Sequence, residues 1–235
     1  MGQKKLLRFN AIKSFENVKE YPEGMQGQWA AHFGNNNPLV LELACGKGEY
    51  TVGLAQLFPE TNCIGIDIKG NRIYAGAKKC LEQHIGNAAF LRTQIGMLPN
   101  YFAPGEVDEI WITFPDPQLR TSRAKKRLTH PVFLRLYQQV LRPGGLIHLK
   151  TDSPALYQFT KAVALHYNLA ITVDYDNVYT QTTDARLMIK THYEALDIAG
   201  SNRIFYLQFT LPELIANKDA AFQLYLKETE NNDQG

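Results

Sequence analysis

The chain repeatedly follows a short apolar run with a stretch of helical spacing, and few folds can accommodate that rhythm. "LVLEL" (Leu39–Leu43) reads as a buried strand, and "GEYTVGLAQLF" behind it places Val52, Leu54, Ala55 and Phe58 at helical intervals. "NCIGIDI" (Asn62–Ile68) is a second strand with a helix across Arg72–Ile85 after it. "AAFLR" is a third strand and "VDEIWITF" (Val107–Phe114) a fourth. A helix from His130 to Leu141 carries Pro131 in its first turn and Phe133, Leu134, Tyr137, Val140 and Leu141 on one face. "RPGG" stops it, "LIHLKTD" (Leu146–Asp152) is the fifth strand, and a helix over Pro154–Tyr167 follows. "LAITVDY" and "NRIFYLQFT" (Asn202–Thr210) come last, joined by a polar loop.

Strands alternating with helices require parallel pairing with helical crossovers, so the expected fold class is α/β. The sheet is doubly wound, mainly parallel and Rossmann-like, and the two late strands form an antiparallel pair at one edge. Ligands of such sheets bind outside the carboxyl ends of the strands. That rule gathers Glu42 to Gly48, Asp67, the region of Gln94, Asp116 and Asp152 into one crevice.

Composition narrows the class. The 235 residues are 45% hydrophobic and 20% charged, the balance of an ordinary globular domain with one sizeable core. No apolar run is long enough for a signal peptide or a membrane span. Cys45, Cys63 and Cys80 are odd in number and lack metal-ligand spacing, which predicts reduced core thiols, no metal site and a cytoplasmic protein. The net charge is only +2, but it is segregated. No acid lies between Pro117 and Thr151, where Arg120, Arg123, Lys125, Lys126, Arg127, Arg135, Arg142 and Lys150 are all basic. Lys4, Lys5, Arg8 and Lys13 repeat the bias near the start. A segregated basic stretch suggests a polyanion on one face; the alternative is a solvated charged loop.

Gly46 and Gly48 stand in the first strand-to-helix turn, where glycine permits a tight bend and close approach of a ligand. Asp67 ends the second strand, placed to accept from ribose hydroxyls. A dinucleotide site would need a third glycine where Thr51 stands, and Glu42 would crowd a pyrophosphate. An acid-flanked turn better suits a cationic or zwitterionic ligand without phosphates, such as S-adenosylmethionine. After the fourth strand, "FPDP" places Asp116 between two prolines. Pro117 directs Asp116 toward extended backbone and Pro115 does the same to Phe114, so the carboxylate is aimed in advance. A plain turn is the competing explanation for Pro-Asp-Pro.

"ELACGKGEY", "GIDIKGNR", "FPDP" with its basic run, "RPGGLIHLKTD" and "THYE" fall in an order and spacing that resembles the tRNA (guanine-N(7)-)-methyltransferases, over roughly Pro38 to Thr210. The resemblance implies methyl transfer from S-adenosylmethionine to N(7) of a guanine in tRNA, in the variable loop. It implies cofactor acids at Glu42 and Asp67, a third cofactor position at Gln94, and the active-site aspartate at Asp116, beside the Gly46 and Gly48 turn. It places substrate contacts at Arg120, Asp152 and the stretch Thr191, His192, Tyr193 and Glu194. The RNA backbone then falls to Arg123, Lys125, Lys126 and Arg127. Gln118 stands where the family usually has tryptophan, Arg120 where it has lysine, Ser122 and Arg123 where it has an Arg-His pair, and Gln94 where it commonly has an acid. Under this reading residues 1–37 are a basic segment packing on a methyltransferase domain of residues 38–215, with a tail at 216–235, acting as a monomer or homodimer. The alternatives are an RNA-binding protein that kept the fold and lost catalysis, and a methyltransferase acting on another RNA. A nicotinamide-dependent oxidoreductase is disfavoured by the glycine pattern.

Overall fold

The computed structural model describes residues 3–191, 194 and 203–232. Five parallel strands form its centre: β2 (Leu39–Leu43), β3 (Asn62–Asp67), β4 (Ala88–Arg92), β5 (Val107–Thr113) and β6 (Leu141–Thr151). A short β1 (Val18–Glu20) and two late strands, β7 (Ala170–Tyr175) and β8 (Phe205–Thr210), complete an eight-stranded sheet in the order β1-β4-β3-β2-β5-β6-β8-β7. β8 runs antiparallel between β6 and β7, the expected antiparallel pair at one edge. The order reverses between β2 and β5, and such a switch point leaves a crevice outside the strand ends.

Helices cover both faces: α1 (Gln3–Ala11), α2 (Trp29–Phe33), α3 (Glu49–Leu57), α4 (Gly70–Glu82), α5 (Pro131–Tyr137), α6 (Pro154–Tyr167), α7 (Val178–Gln181), α8 (Ala185–Met188) and α9 (Asp219–Asn232). Every residue of β2 and β3 is therefore buried, and alternate side chains enter separate cores. Leu41, Leu43, Ile64, Ile110 and Ile112 join one core with Trp29, Tyr137 and Phe222. Val40, Cys63, Phe90 and Trp111 join the other with Tyr50 and Ile73. The three cysteines are free and buried, and burial pushes the Cys80 thiol up to about 11.

Four local readings differ from the structure, each for a physical reason. The strand–helix alternation implies a helix after β4, but the chain there forms a 3-10 turn, Ile95–Asn100, because Pro99 lies inside it and denies it α-helical bonding. α5 is shorter than expected: Leu141 pairs with Val107 and so belongs to β6. "RPGG" does not precede that strand but bulges within it, since pairing passes from Val107↔Leu141 to Glu109↔Leu146. Gly144 supplies the positive φ of +72°, and Arg142 Nε lies 2.7 Å from Asp108 Oδ1 across the bulge. The polar loop after β7 contains α7 and α8, four residues each and too short to show periodicity.

The first and last described helices are also built in. α1 buries none of its residues and lies along α4, with Arg8 over the Tyr74 ring and Phe9 under the Arg92 guanidinium. α9 inserts Phe222 against Phe159 of α6, and its Asp219 accepts from the Tyr167 hydroxyl at 2.8 Å.

Candidate active site

The predicted cofactor turn is built by the backbone. β2 ends at Leu43; Gly46 and Gly48 take φ of +57° and +73°, and Gly48 starts α3. A Cβ on Gly48 would stand 2.4 Å from the Phe90 ring, so a side chain there is excluded by space as well as by φ. Asp67 ties this turn to the end of β3: Oδ2 accepts the Gly46 N–H at 3.0 Å and Oδ1 the Lys69 N–H at 2.8 Å. Gln94, in the loop leaving β4, is exposed. Beside it the wholly buried Thr93 hydroxyl has no hydrogen-bond partner among the described residues.

Glu42 is 2% exposed and fully engaged. Its Oε2 accepts both the N–H (2.8 Å) and the hydroxyl of Thr51, and its Oε1 accepts the Thr113 hydroxyl at 2.7 Å. Burial pushes the carboxyl up to about 7, against the pull of those three bonds. Glu42 thus joins the first turn of α3 to the end of β5. Sequence reasoning missed both threonines, which stand 9 and 71 positions from Glu42 and left no local signal.

Asp116 follows β5 by three residues and is exposed, with its Oδ1 accepting the Gln118 N–H at 3.0 Å in an Asx-type turn. The two prolines do not act alike. Phe114 is not extended: its φ is +45°, left-handed although proline follows it. A hydrogen bond from its N–H to the Lys150 carbonyl (2.8 Å) fixes this bend where β5 leaves the sheet. Gln118 is likewise left-handed at +47°.

The basic run forms a 3-10 helix, Thr121–Lys126, with Arg120 at its start. Arg120, Arg123, Lys125 and Lys126 are exposed. Arg127, expected at the RNA backbone, is a correction: it is 7% exposed and turned inward. Its guanidinium donates to the carbonyls of Pro117, Gln118 and Leu119 at 3.1–3.2 Å and lies 4.3 Å from the Phe159 ring centroid. Three carbonyls of a loop that makes no sheet bonds need a donor, and a planar guanidinium meets them together.

Asp152 follows β6 and is half-buried. Thr191 is buried, and its hydroxyl accepts the Glu194 N–H at 3.2 Å. Glu194 accepts from Lys150 Nζ at 3.1 Å and from the Tyr179 hydroxyl. His192 and Tyr193 lie outside the described residues. Lys150 itself was not anticipated as a site residue; a lysine inside "LIHLKTD" was the visible signal. His148, read as a core histidine, is buried, stacks 3.9 Å from Trp111 and meets the Tyr206 hydroxyl at 2.7 Å.

Adjacent strands β4, β3, β2, β5 and β6 therefore end, in that spatial order, at Gln94, Asp67, the Gly46–Gly48 turn, Asp116 and Asp152. Among the described residues no group of histidines, cysteines and acids could hold a metal, and no helix is long and apolar enough to cross a membrane.

A glycine turn with acids at successive strand ends on a doubly wound sheet defines a Rossmann-like methyltransferase, and a family model described as "Putative methyltransferase" matches residues 36–207. The fold is similar to that of the 16S rRNA (adenine(1408)-N(1))-methyltransferase from Catenulisporales acidiphilia, with a TM-score of 0.60 and 15% identity over 83% of this chain and 97% of that one. The tRNA (guanine-N(7)-)-methyltransferase of Bacteroides thetaiotaomicron is 43% identical over 91% of this chain and 88% of its own length. That of Porphyromonas gingivalis is 46% identical over 86% and 87%. The chain belongs to the tRNA (guanine-N(7)-)-methyltransferase family.

Proposed function

We propose that this enzyme transfers a methyl group to N(7) of a guanine in the variable loop of tRNA, with S-adenosylmethionine as donor, in the compartment where tRNA is processed. What supports the reading is that the Gly46–Gly48 turn and Asp116 follow the neighbouring strands β2 and β5, whose ends the Glu42–Thr113 hydrogen bond of 2.7 Å joins.

The chain fits the donor molecule. The left-handed glycines let a ligand meet the backbone, Asp67 and Gln94 offer polar groups at the next two strand ends, and the unpartnered Thr93 hydroxyl adds another. Gly46, Gly48, Asp67 and Gln94 would hold it. Glu42 would act from beneath, because its oxygens already hold Thr51 and Thr113. When bound, S-adenosylmethionine supplies an electrophilic methyl group.

Guanine N(7) carries a free lone pair at neutral pH, so no base need remove a proton from it. The protein's main task is alignment, which can supply on the order of 7–11 kcal/mol. The purine gains positive charge as it is methylated, and the Asp116 carboxylate, aimed by its own turn, stabilises that charge. Asp152 can accept from the N(1)–H or amino group of guanine, donors that adenine does not present on that edge, and Glu194 joins it where the base takes the place of the Tyr179 hydroxyl on Oε1. Arg120 and the exposed cations Arg123, Lys125 and Lys126 meet phosphates, which position the RNA without reading its sequence. A base seated this way would be turned out of the folded tRNA at a cost of a few kcal/mol.

Incubating tRNA with labelled S-adenosylmethionine and analysing the nucleosides tests this reading. 7-Methylguanosine at one variable-loop position is the expected product. Cofactor binding without methyl transfer would favour a catalytically silent RNA binder, and label in another nucleoside would overturn the assignment.

A further inference from the structure

Lys150 stands on β6 with its side chain wholly buried, a costly place for an ammonium unless every proton has a partner. All three of its acceptors lie in one segment. Nζ donates to the carbonyls of Leu187 (2.8 Å) and Ile189 (2.9 Å) and to Glu194 Oε2 (3.1 Å). The two carbonyls belong to the end of α8, which leaves such groups without intrahelical partners. The rings of Tyr50 and Phe114 flank the same nitrogen, each with its centroid 5.5 Å away. Lys150 also touches the other side of the site, since its own carbonyl accepts the Phe114 N–H two residues before Asp116.

We infer that Lys150 is a positioning residue: its ammonium sets the place of the Glu194 carboxylate relative to Asp116, and so governs how the target base is seated. This rests on the reading of Glu194 as a guanine-recognising group. Other contacts also seat the segment carrying Glu194, among them the Arg186 guanidinium over the Trp111 ring and Lys190 over the Tyr179 ring, but none of these cations bonds the Glu194 carboxylate. A Cβ on Gly53 would stand 2.8 Å from Ile189 Cγ2, so α3 leaves a glycine-sized seat for it. The Tyr50 hydroxyl donates to the Arg186 carbonyl at 2.5 Å, and the Thr191 N–H to Glu194 Oε2 at 3.3 Å. Lys150 contributes the charge that orders a carboxylate among these contacts. A compact ammonium with three donors suits three separate oxygens, whereas a guanidinium's planar fork does not.

The test compares Lys150→Met, Glu194→Gln and the double variant, measuring kcat and KM for tRNA separately and S-adenosylhomocysteine affinity by calorimetry. Lys150→Met should lower kcat/KM for tRNA by about 10- to 100-fold, the scale of a displaced reacting group, while S-adenosylhomocysteine affinity stays nearly unchanged. That loss should largely vanish when Glu194 is already Gln. Additive losses, or an unchanged kcat/KM in Lys150→Met, would overturn the inference. Full activity in Glu194→Gln would overturn the reading of Glu194 itself, a distinct failure. If Lys150→Met does not fold, Glu194→Ala probes the contact from its other end. Amide hydrogen exchange over residues 187–191 should then quicken while β5 stays protected; unchanged exchange over that segment would refute the role.

Discussion

Asp116 is held by its own loop: Gln118 N–H bonds it, left-handed residues stand two before and two after it, and proline fixes each flank. Replacing it with alanine should cut the rate of methyl transfer by about 100-fold or more, the usual effect of removing one group that stabilises developing charge. A single-turnover assay at saturating tRNA reads this directly, and an unaltered rate would remove Asp116 from the chemistry. Glu42 predicts a pH effect instead. Burial holds its carboxyl up at about 7 against an ordinary 4.5, so the folded chain keeps a proton that the unfolded chain has released. The stability it contributes is complete below about pH 4.5 and is lost as pH rises through about 7, a change on the order of 3 kcal/mol. Denaturation at pH 5 and pH 8 should show wild type losing stability relative to Glu42→Gln. The glutamine can still accept from Thr51 while donating to the Thr113 hydroxyl. Parallel curves for the two proteins would contradict this.

The "FPDPQLRTSRAKKRL" element divides its cations by direction. Arg127 faces inward and clasps three loop carbonyls, while Arg123, Lys125 and Lys126 face outward. Neutralising the outward three should reduce the slope of log K against log salt for tRNA by about 2–3, at roughly 0.7–0.9 per phosphate contact, and leave cofactor affinity unchanged. Filter binding across a salt series measures it; an unchanged slope would remove them from the interface. Arg127→Ala should instead loosen the loop and lower the rate even at low salt. Charge counting made the five cations look equivalent, because a sequence records a side chain's type and not its direction. The strands were legible for the opposite reason: burial on both faces leaves short apolar runs in β2, β3 and the second half of β5. β1, only three residues long, left no such trace. The threonines beneath Glu42 and the Lys150 anchor depend on contacts between distant segments, which periodicity cannot report.

At the scale of the whole molecule, the proposed site occupies one rim of the sheet and the "RPGG" bulge the other. α6 links the site to the far end of the chain. It is capped by Ser153, the residue after Asp152, whose hydroxyl accepts the Leu156 N–H at 3.2 Å, and its Phe159 packs against Phe222 of α9. Phe222→Ala should destabilise the fold by about 3–5 kcal/mol, the usual cost of emptying a buried phenylalanine site. Thermal unfolding checks this, and an unchanged Tm would mean that α9 does not support the core. Trimming the gene before codon 219, as is often done to obtain crystals, would leave every rim residue encoded yet strip the prop from the helix that presents Asp152. The resulting enzyme should express poorly or turn over weakly for reasons that no inspection of its catalytic residues would disclose.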